Sequence, residues 1–126
     1  LPHLSHWSAG RRANAAYYDS AFADIPEIVT PYIDPENESI FNQYTIRVER
    51  RDALQAFLKE KGIGSAIYYP LPLHLQPCFQ YLGYREGQCP VAEAAAKSVL
   101  SIPVFPELTS AQLDEVVGTV RAFYGR

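Results

Sequence analysis

Along the chain the spacing of apolar positions changes several times, and each change marks an element. In HLSHWSAGRRANAAYYDSAF, Leu4, Trp7, Arg11, Ala15, Tyr18 and Phe22 recur at steps of three and four. That spacing predicts a moderately amphipathic helix, with Ser5 as its N-cap and Gly10 as a weak point in its middle turn. The following ADIPEIVTPYIDPENES carries three prolines among several acids. It reads as an extended crossing with turns, because proline disfavours helix at its own position and at the one before. FNQYTIRVE then alternates: Tyr44, Ile46 and Val48 point one way, and Gln43, Thr45, Arg47 and Glu49 the other. This is the period of a half-buried strand.

RDALQAFLKEKGI returns to the helical period, with Leu54, Phe57 and Leu58 on one face. Gly62 supplies the left-handed residue past its end, and Ile63 is placed to pack back on Leu58 as in a Schellman motif. SAIYY predicts a second strand. A proline- and aromatic-rich stretch follows, and then GQCPVAEAAAKSVL, a third helix with Pro90 at its first position and Glu93 near its positive end. SIPVF is a short extended piece. In the last helix Thr109 and Gln112 form a capping box, and Leu108 and Leu113 hold the staple positions. Its apolar stripe is Leu113, Val116, Val117, Val120 and Phe123. Alternating elements with few, short strands predict an α/β chain of the two-layer α+β kind, a small sheet with helices on one face.

Composition narrows the function classes. A chain of 126 residues suits a single domain, 1–126, with a real core, and 48% hydrophobic with 20% charged residues excludes disorder. A net charge of −3 with scattered arginines gives no basic stripe, so no nucleic-acid partner is expected. No apolar run approaches the ~20 residues that cross a bilayer, and the start lacks the apolar core of a secretory signal, so no membrane partner is expected. Cys78 and Cys89 have neither companions nor CxxC spacing. Free thiols in a reducing compartment, and hence a cytoplasmic location, are the expectation. The chain starts at Leu1, contains no methionine and opens directly into a helix, as a piece of something longer would.

Self-contained chemistry is not visible. GIGSAI lacks the third glycine of a dinucleotide fingerprint and lies between helix and strand, the reverse of the required order. His3 and His6 have no third ligand nearby, so no metal site is expected. No motif joins a base to either thiol, and Asp34 and Glu36 read as solvated loop charge. Lys59 and Lys61 crowd a helix end and Lys97 faces outward, so none reads as a desolvated Schiff-base lysine. No residue of the chain is expected to be catalytic.

One stretch exceeds what a core needs. Tyr68, Tyr69, Pro70, Leu71, Pro72, Leu73, His74 and Gln76 resemble the HYP-x-PLH-x-Q stretch of the DegT–StrS nucleotide-sugar aminotransferases. NQYTIRVERRDAL, LGYREGQCPVAEAAAKSVL and SIPVFPELTSAQLDEV resemble further family motifs in the same order, and HWSAGRRANAAYYDSAF resembles the helix leading out of the family's large domain. The resemblance spans essentially the whole chain. It implies the small C-terminal domain of a type I pyridoxal-phosphate fold, a mainly antiparallel sheet covered by helices, with the N-terminal large domain absent.

What the resemblance implies about function follows the family. The full-length enzyme would be a homodimeric transaminase using pyridoxal 5'-phosphate. It would move an amino group, in the family from glutamate, to a nucleotide-linked keto-sugar in polysaccharide or antibiotic-sugar biosynthesis. This domain alone would bind no cofactor and be inactive; its partners would be the large domain, a second copy and the nucleotide-sugar. Tyr68, Tyr69, Pro70 and His74 would then be substrate-binding residues in the cleft between domains. Prolines fix the backbone course there, and aromatic faces suit a sugar or base. The departure is Tyr68, where the family carries histidine; tyrosine does not charge near neutral pH. The variant otherwise resembles members acting on 3-keto-sugars, including uronic acids. Tyr44 is expected in the core and Arg47 along the sheet. The alternative is a stand-alone, non-catalytic sugar-nucleotide-binding, regulatory or dimerisation module of the same fold.

Overall fold

The computed structural model describes all 126 residues. Helices α1 (Leu4–Phe22), α2 (Arg51–Glu60), α3 (Pro90–Ser98) and α4 (Ser110–Phe123) accompany strands β1 (Ile28–Val29), β2 (Tyr44–Val48) and β3 (Val99–Ile102). The strands form one antiparallel sheet in the order β1-β2-β3. Tyr44 pairs with Ile102 and Ile46 with Leu100, so the alternating apolar positions of two strands meet on one face. On the other face the Thr45 and Ser101 hydroxyls lie 2.7 Å apart.

The core grows on the first face. Ala15, Tyr18 and Phe22 of α1, Leu54 and Leu58 of α2, and Leu113, Val116, Val117 and Val120 of α4 join Tyr44, Ile46, Val48, Leu100 and Ile102 in one buried cluster. Ala96 of α3 is buried apart from it. Tyr18 stacks on Phe22, and its hydroxyl donates to Pro103 O at 2.8 Å. Burial raises the Tyr18 hydroxyl well above its ordinary pKa, so it stays a neutral donor.

Local signals hold where their partners are close in sequence. Thr109 and Gln112 make the full capping box, and Gly62 takes φ 77° while Ile63 N bonds Leu58 O at 2.9 Å. Other expectations are corrected. Helix α1 begins after His3 with no side-chain cap, so Ser5 is inside it, and Leu4 and Trp7 of the expected stripe are exposed. Gly10 also has a packing reason: a Cβ there would come within 2.9 Å of Pro106 Cβ and 3.1 Å of its carbonyl oxygen, so glycine permits close contact. SAIYY is not a strand but a single bridge between Ala66 and Ser101. The expected extended crossing contributes β1, and the third helix stops at Ser98, where the chain turns into β3.

Helix α4 is tied to the end of α1 by Arg121, whose guanidinium grips Asp24 with two bonds of 2.7 and 2.8 Å and also donates to Ala21 O. That grip holds the Asp24 carboxyl at about 2, below its ordinary 3.8. A carboxyl lowered by folding stabilises the fold above its unfolded pKa, and that stabilisation is lost as pH falls through the folded value. Denaturation midpoints of wild type and Asp24→Asn, followed from about pH 6 down to about pH 2, are therefore expected to differ most at the upper end and to converge below about pH 4. A constant gap across the range would show that this ion pair has no part in the acid response.

Candidate functional site

The site begins where the sheet gives out. Ala66 and Ser101 exchange both backbone bonds, at 3.0 and 2.7 Å, and the pairing then ends. Beyond it, Pro70 and Pro72 have no N–H with which a ladder could resume. The chain passes instead through 3-10 turns at Leu73–Leu75 and Pro77–Leu82, neither of which buries a residue. Tyr68 and Tyr69, joined by a cis peptide, stand 44% and 71% exposed with their rings edge to face at 5.7 Å. Pro70 beside them is exposed too. Two aromatic faces on a stiff backbone are thus offered to solvent.

Grooves open on both sides of this segment. One, of about 520 Å³, runs between Tyr68, Tyr69 and Leu71 on one side and Ala92 and Ala95 of α3 with Val99 of β3 on the other. The second, of about 320 Å³, is lined by Arg11, Asn42, Ser65, Tyr68 and Phe105. Tyr68 borders both. Arg11 is held at the second by bonds from its guanidinium to the carbonyls of Phe41 and Asn42, at 3.3 and 3.2 Å. The first groove is mostly apolar and the second mixes a cation with amide and hydroxyl groups. Together they match the pattern of a small-molecule cleft, with apolar walls and a few placed polar groups.

His74 does not join Tyr68 and Tyr69 at the surface. Its side chain is one-tenth exposed, and Nε2 lies 3.0 Å from Glu93 Oε1. The ring meets Tyr84 edge-on. Glu93 is the residue that sequence reasoning missed. Its carboxylate also accepts from Gly87 N, at 2.8 Å to Oε2, and from Cys89 N, at 3.1 Å to Oε1. The Gly87 N–H is the main cause that holds the Glu93 carboxyl below its ordinary pKa, with Cys89 and His74 adding to it against the desolvation of a buried acid. A glutamate in the first turn of a helix opened by Pro90 was the available signal, but it points to the helix dipole and not to His74. Tyr44 is fully buried, with its hydroxyl donating to Asp19, and Arg47 is exposed on the sheet.

A cofactor attached through an imine needs an amine in a dry pocket. Lys59, Lys61 and Lys97 are all exposed, so the residues of this chain do not fit pyridoxal phosphate. No group of three His, Cys, Asp or Glu side chains is placed to hold a metal ion.

The model of the DegT/DnrJ/EryC1/StrS aminotransferase family matches residues 1–121. The chain belongs to this family. It is 52% identical over 98% of its length to a "Pleiotropic regulatory protein" of Geobacillus stearothermophilus, of which it covers 34%. It is 38% identical over its whole length to a dTDP-3-amino-3,4,6-trideoxy-alpha-D-glucose transaminase of Streptomyces venezuelae, of which it covers 33%. The crystal structure of S. venezuelae DesV with a ketimine intermediate superposes on all of the chain with a TM-score of 0.95 at 38% identity, and 34% of that protein is covered. The chain therefore spans about a third of the length of the family members it matches. The α+β fold with a small antiparallel sheet, expected from the resemblance, is the fold observed.

Proposed function

We propose that these 126 residues are the C-terminal, sugar-facing domain of a pyridoxal-phosphate-dependent aminotransferase acting on a nucleotide-linked 3-keto-sugar. The observation that carries this is the exposed Tyr68–Tyr69–Pro70 corner between two grooves, in a chain 38% identical to a transaminase whose name places the amine at C3. The cofactor, anchored by residues outside this chain, would act as the electron sink when amine and carbonyl are exchanged between donor and sugar. The chain's own part is to bind and to exclude water. The tyrosine rings offer faces to the sugar or base, Pro70 and Pro72 fix their course, and Arg11 sets a positive charge at the second groove for a phosphate or carboxylate. His74, engaged by Glu93, supports the wall from behind and makes no substrate contact in this reading.

In the same reading the intact enzyme is a cytoplasmic homodimer using glutamate as donor. Support for covered surface comes from Leu4, Trp7, Ile40 and Phe105, which are exposed and lie together around one pocket. Support for a reducing compartment comes from the unpaired thiols of Cys78 and Cys89.

The test is kinetic and separates the two half-reactions of the intact protein. Tyr69→Ala is expected to raise KM for a dTDP-linked 3-keto-hexose about three- to tenfold, the worth of one aromatic contact, while conversion by glutamate is unchanged. Equal effects on both half-reactions, or none on the sugar, would remove Tyr69 from the substrate wall. A second reading, a regulatory module without catalysis, draws on the name of the relative at 52% identity. It expects saturable binding of a dTDP-sugar by the 126-residue chain and no transamination by the intact protein.

A further inference from the structure

From Gly64 to Ala92 no residue is buried. Half-buried Ile67 packs on the core near its start, but no apolar side chain from 68 to 92 does so, and hydrophobic burial does little to fix that part. The first buried residue after Ile63 is Glu93, a carboxylate. It is also the point at which separate parts of the stretch converge: His74 from the first 3-10 turn, and Gly87 and Cys89 from the turn that leads into α3.

We infer that Glu93 is a positioning residue for the sugar-facing wall, pinning both ends of the 74–89 excursion to α3 through one carboxylate. The inference rests on the reading of Tyr69 as a substrate contact and deepens it. Bonds to an ionised carboxylate are roughly twice as strong as neutral ones, and three donors leave it well satisfied. Because His74 follows Tyr69 by five residues across two prolines, a displaced imidazole carries the stiff segment with it. The apolar groove between that segment and Ala92, Ala95 and Val99 changes width accordingly. The clamp thus acts on substrate through position alone, and none of its atoms need touch the sugar.

Two readouts test this, using Glu93→Ala and Glu93→Gln beside Tyr69→Ala in the intact protein. Glu93→Ala is expected to raise KM for the dTDP-linked 3-keto-hexose about tenfold while leaving conversion by glutamate within about twofold. Glu93→Gln is expected to do so less, since its amide oxygen still accepts from Gly87 and Cys89. Amide exchange is the second readout. Peptides spanning 74–89 should exchange about tenfold faster in Glu93→Ala, with β2 and α4 unaltered. If Glu93→Ala does not fold, Glu93→Gln decides by the same two measures. A sugar KM that rises in Tyr69→Ala but stays at the wild-type value in the Glu93 variants, or unchanged exchange over 74–89, overturns the inference and spares the functional reading. An unchanged KM in Tyr69→Ala overturns the wall itself, and exchange alone then decides whether Glu93 holds the excursion.

Discussion

Leu100→Ala is expected to destabilise the fold by about 3 kcal/mol, lowering the thermal midpoint by about 12 °C for a domain of this size. Leu100 is fully buried and pairs across the sheet with Ile46, which is also fully buried. Around them stand α1, α2 and α4 in one cluster, so several elements would have to move to close the gap. The truncation costs the transfer energy of the lost carbons plus the cavity that remains. In a domain whose total stability is about 5–15 kcal/mol, that is a large share. Denaturant unfolding gives the number directly. A loss below about 1 kcal/mol would contradict a packed core at this position.

Arg51→Ala is expected to cost about 2–4 kcal/mol, although an arginine opening a helix ordinarily counts as surface. Its side chain is only one-tenth exposed, and Nη1 donates at 3.1 Å to the carbonyls of both Ala96 and Val99. Those carbonyls close α3 and open β3, where the backbone changes from helix to strand. Arg51→Ala removes the donors and the packed stem together, so Arg51→Met separates the two by keeping most of the stem. The methionine variant should recover only the packing part. Full recovery in it would mean that the two carbonyl bonds contribute nothing. The same substitution is expected to loosen the Ala95–Val99 flank of the apolar groove.

What the sequence made legible was local. The capping box at Thr109 needs partners three residues apart, and the Schellman turn at Gly62 needs partners within six. Both were readable without knowing the fold. Tyr44, Ile46 and Val48 declared a strand because alternation is a property of the strand alone. By contrast, β1 is two residues long and exists only through pairing with Arg47 and Val48 far along the chain. SAIYY carried a strand's composition, but only Ala66 meets β3, and the chain leaves the sheet before it reaches the prolines at 70 and 72. Gly10 illustrates the same limit: its reason is Pro106, distant in sequence, and no helix propensity reveals it.

The candidate site divides in the same way. Tyr68, Tyr69 and Pro70 stood out by residue type, and resemblance gave them a setting. His74 stood out equally, yet its environment is decided by an acid nineteen residues on. Histidine beside proline and aromatics looks the same in sequence whether it faces a ligand or a buried carboxylate.

Tyr68 forms a party wall between two compartments, and this limits how the protein can be altered. A change in the size of that ring widens or narrows both chambers together. Selectivity on the apolar side and on the Arg11 side cannot therefore be adjusted independently at this position. A library that varies Tyr68 alone would explore a single diagonal of the possible shapes. Reaching the rest requires compensating changes on the far walls, Ala92 or Ala95 on one side and Ser65 or Phe105 on the other.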